Sequence, residues 1–401
     1  MRLAVVSPFV DRSHGTERAL AELLERLARR YHCEIHLYSQ RVADLDVQTS
    51  RSKLSKDTGA ILWHKVPSIP GPQLIRFVWW LIANWCLRRF DALLGRTTVD
   101  LILSPGINCM SADVVIVHAL FYQLRELSRA GDAKESEGAG LLRALHRRAY
   151  YVLLTCLERF IYRQRSVSLA AVSQRTAGLL KRYFQRDAVV IPNGVDTAQF
   201  SVAARTSRRS EARRRRNFHD TDFVLLLIGN DWRVKGLPAI LAAMAAASAP
   251  PLRLLVVGSD VSEPFREMAK RLGILDRCRW EDPQKDVIDF YAAADVYVSP
   301  SREDSFGLPV AEAMSCGLPV ITSVMAGVSA QICHNADGFV LADPSDVRSL
   351  AELLERLYND EALRRRIGAA AAATAQGWTW DQSADALWDL LNTTLQKKVR
   401  C

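Results

Sequence analysis

Two carboxylates eight residues apart, Asp304 and Glu312, flank a glycine–proline turn and the opening of a helix within the stretch Ser299–Val320. The apolar run Asp295–Ser299 ahead of them reads as a strand. Pro309 suits the first position of a helix, where its missing N–H costs nothing. Asp304 therefore belongs on a loop at the carboxyl end of a strand, and Glu312 about one turn into the next helix. Phe306, Gly307 and Leu308 present backbone N–H groups near that helix start, where the dipole favours anionic oxygens. Carboxylates accept hydrogen bonds from hydroxyls. Two of them beside an anion site suit a ligand that is part sugar and part phosphate, as a nucleotide sugar is. The plainer reading makes Asp304 a loop cap and leaves Glu312 on a solvated helix face.

A second constellation lies upstream in Gly229-Asn-Asp-Trp-Arg-Val-Lys-Gly236, between an apolar strand and a helix. Arg233 offers a planar fork and Lys235 a point charge, both suited to a diphosphate. Incidental basic residues at a helix start are the alternative. Near the beginning of the chain, Ser13-His-Gly-Thr-Glu-Arg18 follows the first strand, and Gly15 would let the backbone approach a ligand closely. His14 is a weaker candidate in the same loop. His118 ends the run Asp113–His118, although a lone histidine is more often structural.

These segments require a scaffold of parallel strands. Short, continuously apolar runs fall into two series alternating with helical patterns: 3–7, 34–39, 61–66, 101–104, 113–118, 168–173 and 188–192, then 223–229, 252–258, 277–280, 295–299, 319–322 and 338–341. Such runs belong in parallel sheets covered on both faces by helices. A chain of 401 residues with 49% hydrophobic content is long enough for two such domains. The fold class is therefore α/β, with two doubly wound domains facing each other and a ligand cleft at the carboxyl ends of their strands.

The stretch around Asp304 and Glu312 resembles the Glu-x7-Glu signature of retaining glycosyltransferases of family 4, which have the GT-B fold. Lys235-Gly236 and the turn Ile191-Pro-Asn-Gly-Val-Asp196 resemble the same family. The sequence departs from the pattern in two places. Asp304, preceded by Glu303, stands at the first glutamate, and Asn230 stands where an arginine usually follows the strand-end glycine. The resemblance implies an acceptor-side Rossmann-like domain at 1–197, a nucleotide-sugar-binding Rossmann-like domain at 198–380, and a helix at 381–401 returning to the first domain. It implies transfer from a UDP- or GDP-linked sugar to a glycan or glycolipid acceptor of the cell envelope. The leaving diphosphate helps deprotonate the attacking hydroxyl, and neither metal nor cofactor takes part.

In that scheme Arg233, Lys235 and the helix-start amides hold the diphosphate, and Glu312 holds the ribose. Asp304 or Glu303, with Ser305 and the Phe306–Leu308 backbone, reads the transferred sugar. Gly15 faces donor phosphates and acceptor, and His118 positions the sugar. Backbone of Trp280–Pro283 and Tyr291 are positional candidates for the base. A nucleotide-sugar epimerase and a non-catalytic scaffold remain alternatives on the same fold.

The net charge of +9 is concentrated in Arg205, Arg208, Arg209, Arg213, Arg214, Arg215 and Arg216. A solvated linker helix, an anionic membrane surface and nucleic acid are its three readings, the last without any accompanying nucleic-acid signature. Residues 73–95 carry three tryptophans and flanking arginines around an apolar core interrupted by Asn84 and too short to span a bilayer. They suit either a buried helix or the membrane interface, with the basic helix His146–Arg165 in support. Met1–Ser7 enters a strand directly, without a signal-peptide pattern. The eight scattered cysteines form no CxxC pair and fit a reducing compartment. The expectation is a cytoplasmic protein that can meet the membrane peripherally; the sequence leaves its oligomeric state open.

Overall fold

The apolar runs form strands because each is buried on both faces of a parallel sheet, where alternation is not needed. The computed structural model describes residues 1–12, 15–48, 59–131, 141–248, 252–284 and 286–400. They divide into two units, Met1–Pro192 with Trp380–Cys401, and Asn193–Thr379. The first unit holds β1 (Arg2–Val6), β2 (Phe9–Val10), β3 (Glu34–Ser39), β4 (Arg41–Val42), β5 (Ala60–Lys65), β6 (Leu101–Pro105), β7 (Val114–Val117), β8 (Ser168–Ala171) and β9 (Val189–Val190). Its main sheet is parallel, in the order β5-β3-β1-β6-β7-β8-β9. The short pair β2–β4 was invisible in the sequence, since two residues carry no periodicity.

Its helices are α1 (Gly15–Tyr31), α2 (Gln73–Leu93), α3 (Phe121–Gly131), α4 (Leu141–Tyr162) and α5 (Gln174–Phe184). The second unit holds α6 (Val202–Arg215), β10 (Val224–Ile228), α7 (Leu237–Ala246), β11 (Arg253–Val257), α8 (Glu263–Arg271), β12 (Cys278–Glu281), α9 (Ile288–Ala293), β13 (Val296–Ser299), α10 (Leu308–Ser315), β14 (Val320–Ser323), β15 (Phe339–Leu341), α11 (Val347–Asn359) and α12 (Glu361–Ala375). Its sheet is also parallel, in the order β12-β11-β10-β13-β14-β15, which counted within the unit is the doubly wound 3-2-1-4-5-6.

The last helix, α13 (Trp380–Arg400), belongs to the first unit and packs on α1. Asp381 accepts from Arg26 and Arg30 at 2.7 Å each, and Trp388 stacks on Tyr31 with centroids 4.6 Å apart. The units part at 192/193 and 379/380 rather than 197/198 and 380/381. Val195 donates its N–H to the Trp378 carbonyl (2.7 Å), which ties the segment after Pro192 into the second unit.

The arginine run is neither a solvated linker nor a free basic surface. It forms most of α6, which packs against α9, and carboxylates of the same unit take up its charge. Arg209 and Arg213 bind Asp295 at 2.6 and 3.1 Å, Arg215 reaches Asp289 at 3.2 Å, and Arg216 reaches Glu281 at 3.2 Å while lying over Phe290. Arg213 is 1% exposed, and Asp295 also accepts the Val224 N–H at the head of β10.

Residues 73–93 are one helix with two faces. Trp80, Ala83, Asn84 and Asp91 of α2 turn inward. Trp80 donates to the Asn108 carbonyl (3.1 Å), and Asp91 meets His64 and the Tyr38 hydroxyl at 3.2 Å each. Asn84 faces the protein, so its interruption of the apolar run marks the buried side. Ile75, Val78, Ile82, Trp85 and Leu93 form the outward stripe, each at least 38% exposed. Among the described residues no helix is long and apolar enough to cross a membrane.

Removing one partner of a buried ion pair leaves an uncompensated charge, at about 3–5 kcal/mol. Asp295→Ala is therefore expected to lower the denaturation free energy by that order, because it strands Arg213. Arg214→Ala removes only an exposed pair with Glu211 and should leave it nearly unchanged. Equal losses in the two urea titrations would contradict the burial of Arg213 against Asp295.

Candidate functional site

In the 3-2-1-4-5-6 order the winding of the chain reverses between the parallel strands β10 and β13, and the crevice at their carboxyl ends is where such sheets bind ligands. The loops after these two strands are the two segments singled out by sequence, and they touch. The Arg302 N–H donates to the Val234 carbonyl (2.7 Å), and Lys235 Nζ lies 2.5 Å from Asp304 Oδ2. Gly236, at the N-cap of α7, has φ 86°, and a Cβ there would lie 2.3 Å from the Pro300 carbonyl oxygen. Only glycine permits that approach. Asp304 is itself held by its backbone: its N–H donates to Met325 and its carbonyl accepts from Gly327.

Gly307 is the N-cap of α10, with φ 98°, so Leu308 is the first helical residue and Pro309 the second, one position later than expected. The N–H groups of Phe306, Gly307 and Leu308 have no acceptor among the described residues. They remain available to an anion, with Asp304 Oδ2 3.6 Å from where a Gly307 Cβ would stand. Glu312 is one turn into α10 and 3% exposed, and the Tyr291 hydroxyl donates to its Oε2 at 2.6 Å. This corrects the expectation for Tyr291. Fully buried, with burial and then the Glu312 charge raising its hydroxyl pKa, it supports a carboxylate and faces no base.

Asn230 does not take the missing arginine's place. Its Oδ1 accepts from the backbone and hydroxyl of Ser259 (2.9 and 3.1 Å), locking the ends of β10 and β11 together. Arg233 is exposed in the turn before α7, Glu303 and Ser305 are half-buried beside Asp304, and Trp280 packs against Trp232. Burial, followed by the Glu312 charge, pushes the Cys316 thiol pKa up, so this cysteine is an inert core residue. Among the described residues no group of three or more His, Cys, Asp or Glu side chains could hold a metal ion.

The remaining sequence candidates lie in the first unit. Gly15 opens α1, while His14 falls outside the described residues. His118 follows β7 and is 9% exposed, with the Ile116 backbone beside its ring and no side-chain hydrogen-bond partner. Burial lowers its pKa to about 4, so the ring is neutral at physiological pH. It lines a cavity of about 470 Å³ at the carboxyl ends of β1, β6 and β7.

Residues 208–374 match the family described as glycosyl transferases group 1, and residues 13–199 match glycosyltransferase family 4. A curated relative from Xylanimonas cellulosilytica, D-inositol 3-phosphate glycosyltransferase, is 31% identical over 210 residues, covering 50% of each chain. The chain thus spans about half the length of the curated relatives it matches. Among solved structures, WaaG, a glycosyltransferase involved in lipopolysaccharide biosynthesis, aligns with TM-score 0.75 at 20% identity, over 97% of this chain and 99% of that one. Anabaena HepE in complex with UDP-glucose aligns with TM-score 0.70 at 17% identity, over 98% and 100%. The two family matches together take in most of both units, and the chain belongs to glycosyltransferase family 4, with the GT-B fold.

Proposed function

We propose that the protein moves a sugar from a UDP- or GDP-linked donor to a hydroxyl of a cell-envelope glycolipid, lipopolysaccharide or polysaccharide precursor, with retention at the anomeric carbon and without a metal. The observation that carries this reading is the convergence of Lys235, Asp304, the free amides of 306–308 and Glu312 where the winding of a parallel sheet reverses. Cationic and N–H groups fixed in advance stabilise charge as it develops on a leaving group. Lys235, already positioned by Asp304, and the α10 amides hold the diphosphate, with Arg233 as a further cation. Glu312 accepts from ribose hydroxyls, and Asp304 lies where the transferred sugar begins. The bond from the anomeric carbon to the diphosphate oxygen breaks. The acceptor oxygen forms the new glycosidic bond, and its proton passes to the diphosphate on the same face. The neutral ring of His118 can hydrogen-bond a substrate hydroxyl without adding charge. HepE, named with UDP-glucose, supports a nucleotide-sugar donor by analogy of fold. The Xylanimonas relative's name favours a second reading, a phosphorylated polyol as acceptor.

The protein is also proposed to work at an anionic bilayer surface from the cytoplasmic side. The outward stripe of α2 and the exposed Leu145, Val152 and Phe160 of α4 are apolar, and Arg76, Arg89, Arg96, Arg148, Arg159 and Arg163 on these helices and the turns after them are exposed. An apolar face with exposed arginines complements anionic lipid, at about 1 kcal/mol per basic residue.

Lys235→Ala is expected to lower kcat by roughly 10²–10³, and Glu312→Gln, which keeps the bond from Tyr291, to raise the donor KM. Wild-type kinetics in both would contradict the assignment. The depressed pKa of His118 fixes a sign: stability is complete above the unfolded value of about 6.5 and is lost as pH falls toward about 4. His118→Gln should remove that acid-side loss, on the order of 3 kcal/mol between pH 7 and 4. Parallel urea titrations of wild type and variant at the two pH values measure it. Wild type should co-sediment with phosphatidylglycerol vesicles but not with phosphatidylcholine ones, and Ile82→Glu/Trp85→Glu should abolish this. Undiminished sedimentation of the double variant would rule the face out.

A further inference from the structure

We infer that Glu158 is a positioning residue of the transfer: reaching across from α4, it holds the first turn of α3 and so sets the short loop on which His118 stands. This rests on the transferase reading above and goes beyond it by naming a residue that acts without touching substrate.

The loop needs such a support. β7 ends at Val117 and α3 begins at Phe121, so His118, Ala119 and Leu120 alone connect them. The first amides of a helix lack an intrahelical acceptor, and a Ser, Thr, Asp or Asn just before it usually supplies one. Here that residue is Leu120, whose buried side chain has nothing to accept with. The acceptor comes from 37 residues further along the chain. Glu158 Oε1 takes the Phe121 N–H at 2.7 Å, and Oε2 takes the Tyr122 N–H at 3.0 Å. A carboxylate there also meets the favourable end of the helix dipole. At the loop's other end, Val117 pairs with Ala171 of β8. The loop is thus fixed on both sides, by the sheet and by Glu158.

The arrangement is costly, which argues for a purpose beyond capping. Glu158 is 0% exposed, and burial pushes its pKa up to about 7 against the pull of the two N–H bonds. A serine at 120 would cap α3 without burying a charge. Leu154, Glu158 and Tyr162 are spaced four apart and share one face of α4. Leu154 and Tyr162 line the same cavity as His118 and Phe121, and Glu158 stands between them without reaching it. The titratable group beside Glu158 is the Tyr162 hydroxyl, whose pKa is raised by burial and then by the Glu158 charge. Protonation of Glu158 puts a donor on one of its two oxygens, so only the charged form holds both amides fully.

Glu158→Gln, close in shape, turns an NH₂ group toward one of the two amides and tests this in the full chain. It is expected to lower kcat roughly 10²-fold while changing the donor KM by less than about threefold. In a His118→Gln background the same substitution should cost less than about threefold, because two residues acting through one contact are not additive. Equal losses in the two backgrounds would overturn the proposal. The ring-proton resonances of His118, assigned by their loss in His118→Gln, give a readout independent of turnover. Their titration midpoint should move from about 4 in the wild type toward the free value of about 6.5 in Glu158→Gln, and an unmoved midpoint would also overturn the proposal. If the variant does not fold, the wild type still decides: its Phe121 and Tyr122 amide resonances should titrate together near pH 7, and unresponsive amides would count against the role. A moved midpoint in a protein that turns over no UDP- or GDP-sugar would sink the transferase reading alone, so the two failures are distinguishable.

Discussion

The parallel pairing of β10 with β13 is the constraint on which the rest depends. These strands lie about seventy residues apart in sequence, and hydrogen bonding along Leu225–Val296 and Leu226–Tyr297 brings the loops at their carboxyl ends together. Lys235 then meets Asp304, Gly236 passes close to Pro300, and α7 and α10 both begin at the same crevice. No residue of either loop would form an anion site alone. The reversal of winding makes them one.

Charge elsewhere in the molecule follows burial more than sequence clustering. The densest basic segment is internal to the second unit's architecture, with Arg213 and Arg216 buried against Asp295 and Glu281. The dispersed arginines of α2 and α4 remain at the surface, on helices that also expose apolar side chains. A net charge of +9 therefore says less about partners than the question of which cations have carboxylates within reach.

The strands of both sheets were legible because burial on both faces leaves a continuous apolar run, and glycine and proline mark where each ends. The helix start at Gly307 and the pair Asp304 and Glu312 were legible for the same reason, as local signals. What escaped was set by distant partners. Tyr291 lies on Glu312, and nothing in the segment around it distinguishes that role from base recognition. Asn230 looked like a missing arginine until Ser259 was seen on its carbonyl oxygen. The arginines of α6 looked solvated because Asp295 is eighty-odd residues away. Asn84 read as a break in an apolar helix, whereas it marks the face that α2 turns inward.

The central claim is that the crevice between Lys235 and the start of α10 holds the diphosphate of a nucleotide sugar. A thermal-shift screen of UDP- and GDP-linked sugars tests it most directly, since a ligand that binds only the folded state raises Tm. The account predicts that at least one such sugar raises Tm in the wild type and that Lys235→Ala removes the rise. A screen with no shift, or a shift of equal size in Lys235→Ala, would contradict it.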